Sequence, residues 1–581
     1  MVILGINSFH PDSSACLLIN GKIRVALEEE RINRCKHWSG LPILSIQECL
    51  KTENISLKDI DYVAVNANFF SNFFDKIKYI LSRKTEIKFL IEKIKNKNKK
   101  KDILNLIFSA ASGGEFNKNC KLIQVEHHLA HVASAFYDSS YDEAVNLSVD
   151  GFGDFASLTW GKGIKDKIKI DHKILFPHSL GIFYEAFTQF LGFHNYGDEY
   201  KIMGLSSYGK PTECEKISKI IKQKNDHEFF LNLEYFIHHR ENIYYSWDNT
   251  VPKQKNLFSN KILKLFGNPR NKEEVINEEH KNIAASVQKV YEDILLNIIN
   301  YIYKKYKINN LTLSGGCAQN SLANGKILSS TPFNSLFIPS NPGDAGGAVG
   351  AAYYVWHNIK KAREYTDPTP YLGSSYDNIY VEKLLNNKKD ELNIKKCNFF
   401  SLEENDLCNY VAKEISNSKV VGWFQGRMEW GPRALGNRSI LADPRDPNIK
   451  NILNLKIKKR EDFRPFAPSI LLEDVKNWFD NFEDEEPFMS RVLKFKKEKT
   501  HLVPGVAHID HTGRLQTVTM KQNIRFYKLI KSFKSITGIP LIINTSFNEN
   551  EPIVKKPEEA LECFLRTNMD ILVMEDWIVI R

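Results

Sequence analysis

The sequence predicts an α/β protein of at least two domains, on three observations. The chain has 581 residues, more than one hydrophobic core holds. It opens as a strand over residues 2–7, a polar turn, a second strand, Asn20-Gly21 and a returning third strand, a pattern in which Asn-Gly marks a tight hairpin. Further on, short apolar strands run into Gly-rich turns, as at residues 146–154 and 311–320, and helical stretches follow.

Strand, polar turn, strand, Asn-Gly, strand is how actin-like ATPase folds begin, with the turn facing the nucleotide phosphates. His10 lies in that turn, where an imidazole titrating near neutral pH can serve as a general base or simply hydrogen-bond within the turn. The charged stretch 28–37 follows. Its Lys36 is a candidate for holding an anion, against an ordinary exposed charge.

Residues 125–135, V-E-H-H-L-A-H-V-A-S-A, are rich in Ala and Leu and predict a helix. His127 and His131 stand four apart and share one helix face, where two imidazoles can grip one cation; His128 points elsewhere. Downstream, Asp150 ends a strand that runs into G-F-G-D, and Asp344 sits in the turn N-P-G-D-A-G before a small-residue helix. Two imidazoles with two carboxylates suit iron, manganese or zinc better than calcium. Turn and N-cap roles are the alternative for both aspartates.

Leu311 to Ser314 form a strand entering Gly315-Gly316 and a helix beyond Asn320. Such a turn lets backbone N–H groups approach a phosphate at a helix N-terminus. The stretch 197–205, G-D-E-Y-K-I-M-G-L, mixes charges with Gly-flanked apolar residues and reads as a site loop. Asn282 to Tyr306 read as a long amphipathic helix. Between residues 43 and 116 the sequence predicts a helix, a strand at 61–65, and Lys-rich and aromatic helices. Residues 212–275 are polar and carry no motif.

A domain boundary is expected at Asp367-Pro368-Thr369-Pro370, giving domains 1–366 and 367–581. Beyond it, a buried strand over 419–424 leads into Q-G-R-M-E-W-G-P-R-A-L-G-N-R-S at 425–439. Arg427, Arg433 and Arg438 among glycines suggest a pocket for phosphate or carboxylate, which the guanidinium fork binds bidentately. The stretches 457–461, 463–468 and 513–518 add cations, and Asn544 to Asn548 end a strand in small polar residues.

Composition bounds the rest. A hydrophobic content of 42% describes a globular chain. The 9 cysteines include no C-x-x-C, which argues against a zinc ribbon and for a reducing compartment. Residues 1–7 lack the basic start and long apolar run of a signal peptide, and no stretch is long enough to span a bilayer. A cytoplasmic location is expected. The net charge of +10 is partly local, concentrated in the lysines between 93 and 101. That run reads as a solvated face or loop, so charge is a poor guide to partners.

Together the motifs resemble the NodU/CmcH family of O-carbamoyltransferases. They occur in order as H-x-D-S-S-A, H-H-L-A-H, V-D-G-x-G-D, E-Y-K-x-M-G-L, S-G-G-x-A-x-N, N-P-G-D-A-G, G-R-M-E-x-G-P-R-A-L-G-N-R-S-I-L-A-D-P-R, K-x-R-E, F-R-P-F-A-P and N-T-S-F-N. The resemblance covers nearly the whole chain. It implies an actin-like, two-lobed N-terminal domain and a YrdC-like α/β C-terminal domain. The C-terminal domain would make carbamoyl-adenylate from carbamoyl phosphate and ATP; the N-terminal domain would pass the carbamoyl group to a hydroxyl of a small-molecule acceptor.

Carried over by motif, His127, His131, Asp150 and Asp344 would be ligands of a divalent metal, iron(II), with Mg2+ accompanying ATP. His10 would deprotonate the acceptor and Lys36 would lie near the transferred group. Lys201, Gly204, Gly315, Gly316 and Asn320 would meet the nucleotide. Arg433, Lys458, Arg514, Asn544 and Ser546 would bind carbamoyl phosphate and the ATP phosphates. The resemblance implies neither nucleic acid nor membrane as partner and allows a homodimer. Asp198 inserted after Gly197, Ser206-Ser207, and Asn550 depart from the family pattern and leave the acceptor side open. Two rival readings are a tRNA-modifying enzyme of the threonylcarbamoyl type and a non-catalytic actin-like scaffold that binds nucleotide.

Overall fold

The computed structural model describes all residues except 69, 84–106, 108–118, 241–251, 253–254, 366, 462 and 483. The lysine run at 93–101 therefore lies outside the described residues. The chain divides into two compact units, Met1–Pro368 and Thr369–Arg581.

The first unit contains the same five-stranded sheet twice. In the first, β1 (Val2–Asn7), β2 (Ser14–Ile19), β3 (Lys22–Glu28), β4 (Tyr62–Asn66) and β5 (Lys121–Val125) lie in the order β3-β2-β1-β4-β5. β1, β2 and β3 form an antiparallel meander, and β4 and β5 continue in parallel from β1. The second sheet uses β6 (Glu143–Gly153), β7 (Ala156–Ile164) and β8 (Lys167–Leu175) as its meander. A small hairpin of β9 (Ile221–Asn225) and β10 (Glu228–Leu231) stands apart. Then β11 (Asn310–Ser314) and β12 (Ser335–Phe337) complete the order β12-β11-β6-β7-β8. Read from its meander outward, this is the order of the first sheet, with the same parallel and antiparallel pairs. The duplicated arrangement is the actin-like two-lobed architecture expected from the opening.

The duplication positions the site residues in equivalent pairs. His10 lies in the β1–β2 turn and Asp150 near the end of β6, shortly before the chain turns into β7. In the first half, β5 feeds the helix His127–Asp138. In the second, β12 is followed by the turn bearing Asp344 and the helix Gly346–Lys360. The expected helix at 125–135 thus begins two residues later, because Val125 still pairs in β5. Glu126 caps it, its carboxylate accepting the Leu129 N–H at 2.9 Å. The long helix runs over Glu278–Tyr306, capped by Asn277.

β1 is buried on both faces, as a strand covered by helices must be. The helix Ile43–Thr52 supplies Ile46, Cys49 and Leu50 to one core. The helix Gly346–Lys360 approaches so closely that a Cβ on Gly5 would lie 2.2 Å from the Ala348 carbonyl oxygen. The same helix meets His127–Asp138 through its small residues: a Cβ on Gly350 would lie 1.8 Å from the Ala130 oxygen.

The second unit holds β13 (Asn398–Ser401), β14 (Val421–Phe424), β15 (Arg438–Ala442), β16 (Ala467–Leu471), β17 (Val492–Lys494), β18 (Thr512–Arg514), β19 (Gln516–Val518), β20 (Leu541–Ser546), β21 (Ile571–Met574) and β22 (Trp577–Ile580). Eight of them form one mixed sheet in the order β13-β22-β21-β14-β15-β20-β16-β19, and β17 pairs with β18. Helices Glu404–Ser416 and Ile524–Thr537 cover it around Trp423, Leu441, Ile542 and Phe533, all fully buried. Among the described residues no helix is long and apolar enough to cross a membrane.

Gly350→Ala should destabilise the first unit by about 1–3 kcal/mol, read as a lower urea midpoint. An unchanged midpoint would show that the two helices separate without cost.

Candidate metal centre and anion site

In the first unit the structure brings His127, His131, Asp150 and Asp344 together, all buried, with one ligand atom of each inside a 4.8 Å span. His127 Nε2 stands 2.9 Å from Asp150 Oδ2 and 3.0 Å from His131 Nε2. Asp344 Oδ1 lies 3.5 Å from His127 Nε2 and 3.4 Å from His131 Nε2. Bonds of about 2.0–2.2 Å to a central ion put neighbouring ligands about 3–3.5 Å apart, so the four atoms already stand at ligand spacing. Asp344 Oδ1 is buried with no hydrogen-bond partner, a costly state for a carboxylate oxygen unless a cation meets it. The donor set fits a mid-row divalent ion.

Each carboxylate serves two tasks. Asp150 turns Oδ2 to the imidazoles, while its Oδ1 accepts the Gly316 N–H at 2.9 Å. Asp344 turns Oδ1 to the imidazoles, and its Oδ2 lies 2.7 Å from His10 Nδ1. His10 is a fifth member, 20% exposed, with its ring centroid 4.9 Å from that of His127. The helix start is fixed by Asp154, whose Oδ2 accepts the His127 N–H at 2.9 Å. Gly153 makes room: a Cβ there would lie 1.9 Å from the His127 ring.

Burial would depress His131, but hydrogen bonds and attraction from Asp150 and Asp344 outweigh it and hold the imidazole at about 9. Burial would raise Asp344, yet the charge and hydrogen bond of His10, with His131 close by, bring it down to about 2. His128 goes the other way, pushed to about 3 by burial and by His127. Its Nδ1 meets Ser148 Oγ at 2.9 Å, outside the cluster.

The remaining residues proposed from sequence are placed differently. Lys36 sits exposed in the turn before His37. Lys201 pairs with Asp198 at 2.7 Å on the helix Glu199–Ser206, which also carries Gly204. That helix lies beside the helix Ser321–Ser330, with Ser321 Oγ 3.8 Å from Met203 Sδ. In the Gly-Gly turn both backbone donors have partners within the protein: Gly315 donates its N–H to the Pro342 oxygen and Gly316 donates to Asp150. Asn320 caps the next helix through Ala323 N–H and exchanges two 3.0 Å hydrogen bonds with Gln288.

In the second unit the arginines divide by role. Arg438 is fully buried. Its guanidinium donates to the carbonyls of Gln425, Asn437, Ser374 and Gly426 and lies 3.6 Å from the Phe424 ring centre. Arg427 donates to the carbonyls of Gly373 and Leu372. The expected three-arginine pocket is thus corrected: these two hold the loop. Glu429 holds it as well, one oxygen accepting the N–H groups of Leu435, Asn437 and Arg438. Arg433 lies in the same loop and is half-buried.

Burial and the charges of Arg433 and Arg460 together press Arg514 well below the usual guanidinium range. Arg514 Nε is buried without a hydrogen-bond partner. Three neighbouring cations in a low-dielectric setting suit an anionic ligand. Arg460, of the K-x-R-E motif, donates its Nε–H to Asn454 Oδ1 at 2.7 Å. Lys458 is buried, and its ammonium is held by the Ser546 backbone and hydroxyl oxygens and by two oxygens of Asn548. It ties down the N-T-S-F-N strand end. Asn544 donates to Gln516 at 2.9 Å and keeps a buried Oδ1 without a partner. Gln516 also donates to the Leu435 carbonyl at 2.9 Å, linking that strand to the arginine loop. No sequence signal distinguished this glutamine.

Family models for the N-terminus and the C-terminus of carbamoyltransferases match residues 2–353 and 412–581. The chain belongs to the carbamoyltransferase family. This carbamoyltransferase is 36% identical to an uncharacterized protein of Synechocystis sp., over 100% of the chain and 96% of that protein. It is 34% identical to nodulation protein NolNO of Sinorhizobium fredii, over 99% and 79%. It is 32% identical to the 3'-hydroxymethylcephem-O-carbamoyltransferase of Amycolatopsis lactamdurans, over 46% of the chain and 48% of that enzyme. The protein is therefore a transferase, and the non-catalytic scaffold reading falls.

Because its aspartate neighbours hold His131 protonated up to about 9, a cation taking Nε2 must displace that proton. Titrating Co2+ or Fe2+ at pH 7.5 should release about one proton per ion, read from buffer-dependent binding heats. His131→Ala should abolish the uptake. Heats independent of the buffer would contradict the assigned state of His131.

Proposed function

We propose that the carbamoyltransferase is an ATP-dependent O-carbamoyltransferase that works through carbamoyl-adenylate. The observation that carries this reading is the separation of two kinds of site. One unit gathers three neighbouring arginines, Arg433, Arg460 and Arg514, suited to two phosphorylated substrates. The other gathers a metal-type cluster with a histidine base at its rim.

In the C-terminal unit Arg433, Arg460 and Arg514 offset the repulsion between carbamoyl phosphate and ATP. Asn544, through its buried carbonyl oxygen, is suited to accept from the carbamoyl amide. Water takes the phosphoryl group of carbamoyl phosphate as inorganic phosphate, and an oxygen of the carbamate left behind attacks the α-phosphorus of ATP and displaces pyrophosphate. The product is a mixed anhydride, an activated donor that an alcohol can attack. Lys458 orders Ser546 and Asn548 at the strand end beside these groups.

In the N-terminal unit His10 takes the proton of the acceptor hydroxyl as oxygen attacks the carbamoyl carbon, and AMP leaves. Asp344 Oδ2 orients the imidazole and stabilises its protonated form, the role of the carboxylate in a base–orienter pair. His127, His131, Asp150 and Asp344 would hold the divalent ion, iron(II) by the family resemblance. When bound it supplies a Lewis acid for phosphate and carbonyl oxygens. The acceptor is a hydroxylated small molecule, and the chain works in the cytoplasm.

Pyrophosphate release from ATP should depend on carbamoyl phosphate and divalent metal and need no acceptor. Arg433→Ala and Arg514→Ala should lower it at least about 100-fold, while His10→Ala leaves it within about twofold and loses only carbamoyl transfer. Release unaffected in both arginine variants would contradict the assignment of the C-terminal unit.

A further inference from the structure

The charged stretch 28–37 folds inward. Arg31 is 5% exposed, and its guanidinium bridges two carboxylates. One nitrogen lies 2.7 Å from Glu28 Oε2, the other 2.6 Å from Glu30 Oε1. The second oxygen of each glutamate reaches a different part of the site. Glu28 Oε1 accepts from Asn341 Nδ2 at 2.7 Å, at the head of the turn that carries Asp344. Glu30 Oε2 accepts the His37 N–H at 2.7 Å, and His37 Nδ1 meets Asp12 Oδ1 at 2.8 Å. Asp12 stands two residues from His10 in the β1–β2 turn.

One guanidinium thus lies on a continuous path from the Asp344 turn to the His10 turn. Backbone contacts run alongside: Ser14 Oγ donates to the Ala345 oxygen at 2.8 Å, and Glu29 N–H to the Ser13 oxygen at 2.9 Å. The electrostatics agree with the geometry. Burial raises Glu28 to about 7 against the pull of Arg31. Glu30 is lowered despite its burial, by Arg31, His37 and Lys36. Burial would depress His37, but Asp12 and Glu30 bring it up to about 9. Asp12, Glu30 and His37 lie at metal-ligand spacing, yet Arg31 and His37 already balance the carboxylates there. The group is an ion network and not a second metal site.

We propose that Arg31 is a positioning residue of the transfer site. Through Glu28 and Asn341 it fixes the turn bearing Asp344, and through Glu30, His37 and Asp12 it fixes the turn bearing His10. This rests on the metal-centre reading above and goes beyond it by assigning the support of Asp344 and His10. A lysine cannot replace the planar fork, because a point charge does not span two carboxylates.

The test is Co2+ titration of the full chain, read by absorption, for wild type, Arg31→Met, Asn341→Ala and the double variant. Outer supports of metal ligands affect affinity about 10–100-fold. Arg31→Met should weaken Co2+ by that factor, and Arg31→Lys should restore little of it. The double variant should lose little beyond Arg31→Met alone, since both act on one path. Carbamoyl-phosphate-dependent pyrophosphate release should stay within about twofold of wild type. Unchanged Co2+ affinity, additive losses, or an equal fall in pyrophosphate release would overturn the proposal. Crystal structures of Arg31→Met and of Glu28→Gln, which keeps the side-chain volume, read the same point without metal or turnover. The His10–Asp344 contact should lengthen beyond hydrogen-bond reach, and its retention at 2.7 Å would overturn the proposal. If wild type itself binds no Co2+, the metal reading fails, and the structures still decide on Arg31.

Discussion

The dual use of Asp344 is the constraint on which the N-terminal site depends. A single carboxylate, 6% exposed, gives one oxygen to the facing imidazoles of His127 and His131 and the other to His10. The first contact suits a cation between the partners, and the second suits a ring that can move a proton. Placing both on one side chain fixes the His10 ring relative to the His127–His131 pair to within the length of a carboxylate. Asp150 repeats the scheme, with Gly316 in place of the base. The Gly-Gly turn therefore supports the cluster, and its tight backbone leaves room for the Asp150 side chain.

The duplicated sheet explains why such remote residues meet. His10 lies in the first hairpin turn and Asp150 near the end of the matching strand β6, and the two imidazoles and Asp344 lie where matching helices begin. Two halves facing each other across the close pair of helices His127–Asp138 and Gly346–Lys360 bring these ends together. The glycines of the second helix are part of that geometry, since side chains there would push the halves apart. The placement of these side chains thus follows from close backbone packing and from the ion network around Arg31 behind them.

The sequence made the fold of the N-terminal half readable because strand, turn and hairpin signals are local. His127 and His131 were readable because a helix converts a four-residue spacing into one face. The division of labour among arginines was not. A guanidinium among glycines looks the same whether it binds a ligand or the loop's own carbonyls, and only the structure separates Arg433 from Arg427 and Arg438. Lys458 is a similar case, its charge directed to Ser546 and Asn548. Gln516 carried no signal, since its role depends on Asn544 and Leu435 meeting across strands. The engagement of Gly315 and Gly316 depended likewise on partners more than twenty residues away in sequence.

The account stands on a metal held by nitrogen and oxygen donors only, and X-ray absorption of the iron-loaded protein tests that most directly. It predicts a first shell of nitrogen and oxygen at about 2.0–2.2 Å with an imidazole scattering pattern from two rings, lost in an Asp344→Ala variant. A sulfur shell near 2.3 Å, or an iron signal unaffected by Asp344→Ala, would place the metal elsewhere and contradict the assignment of the four residues.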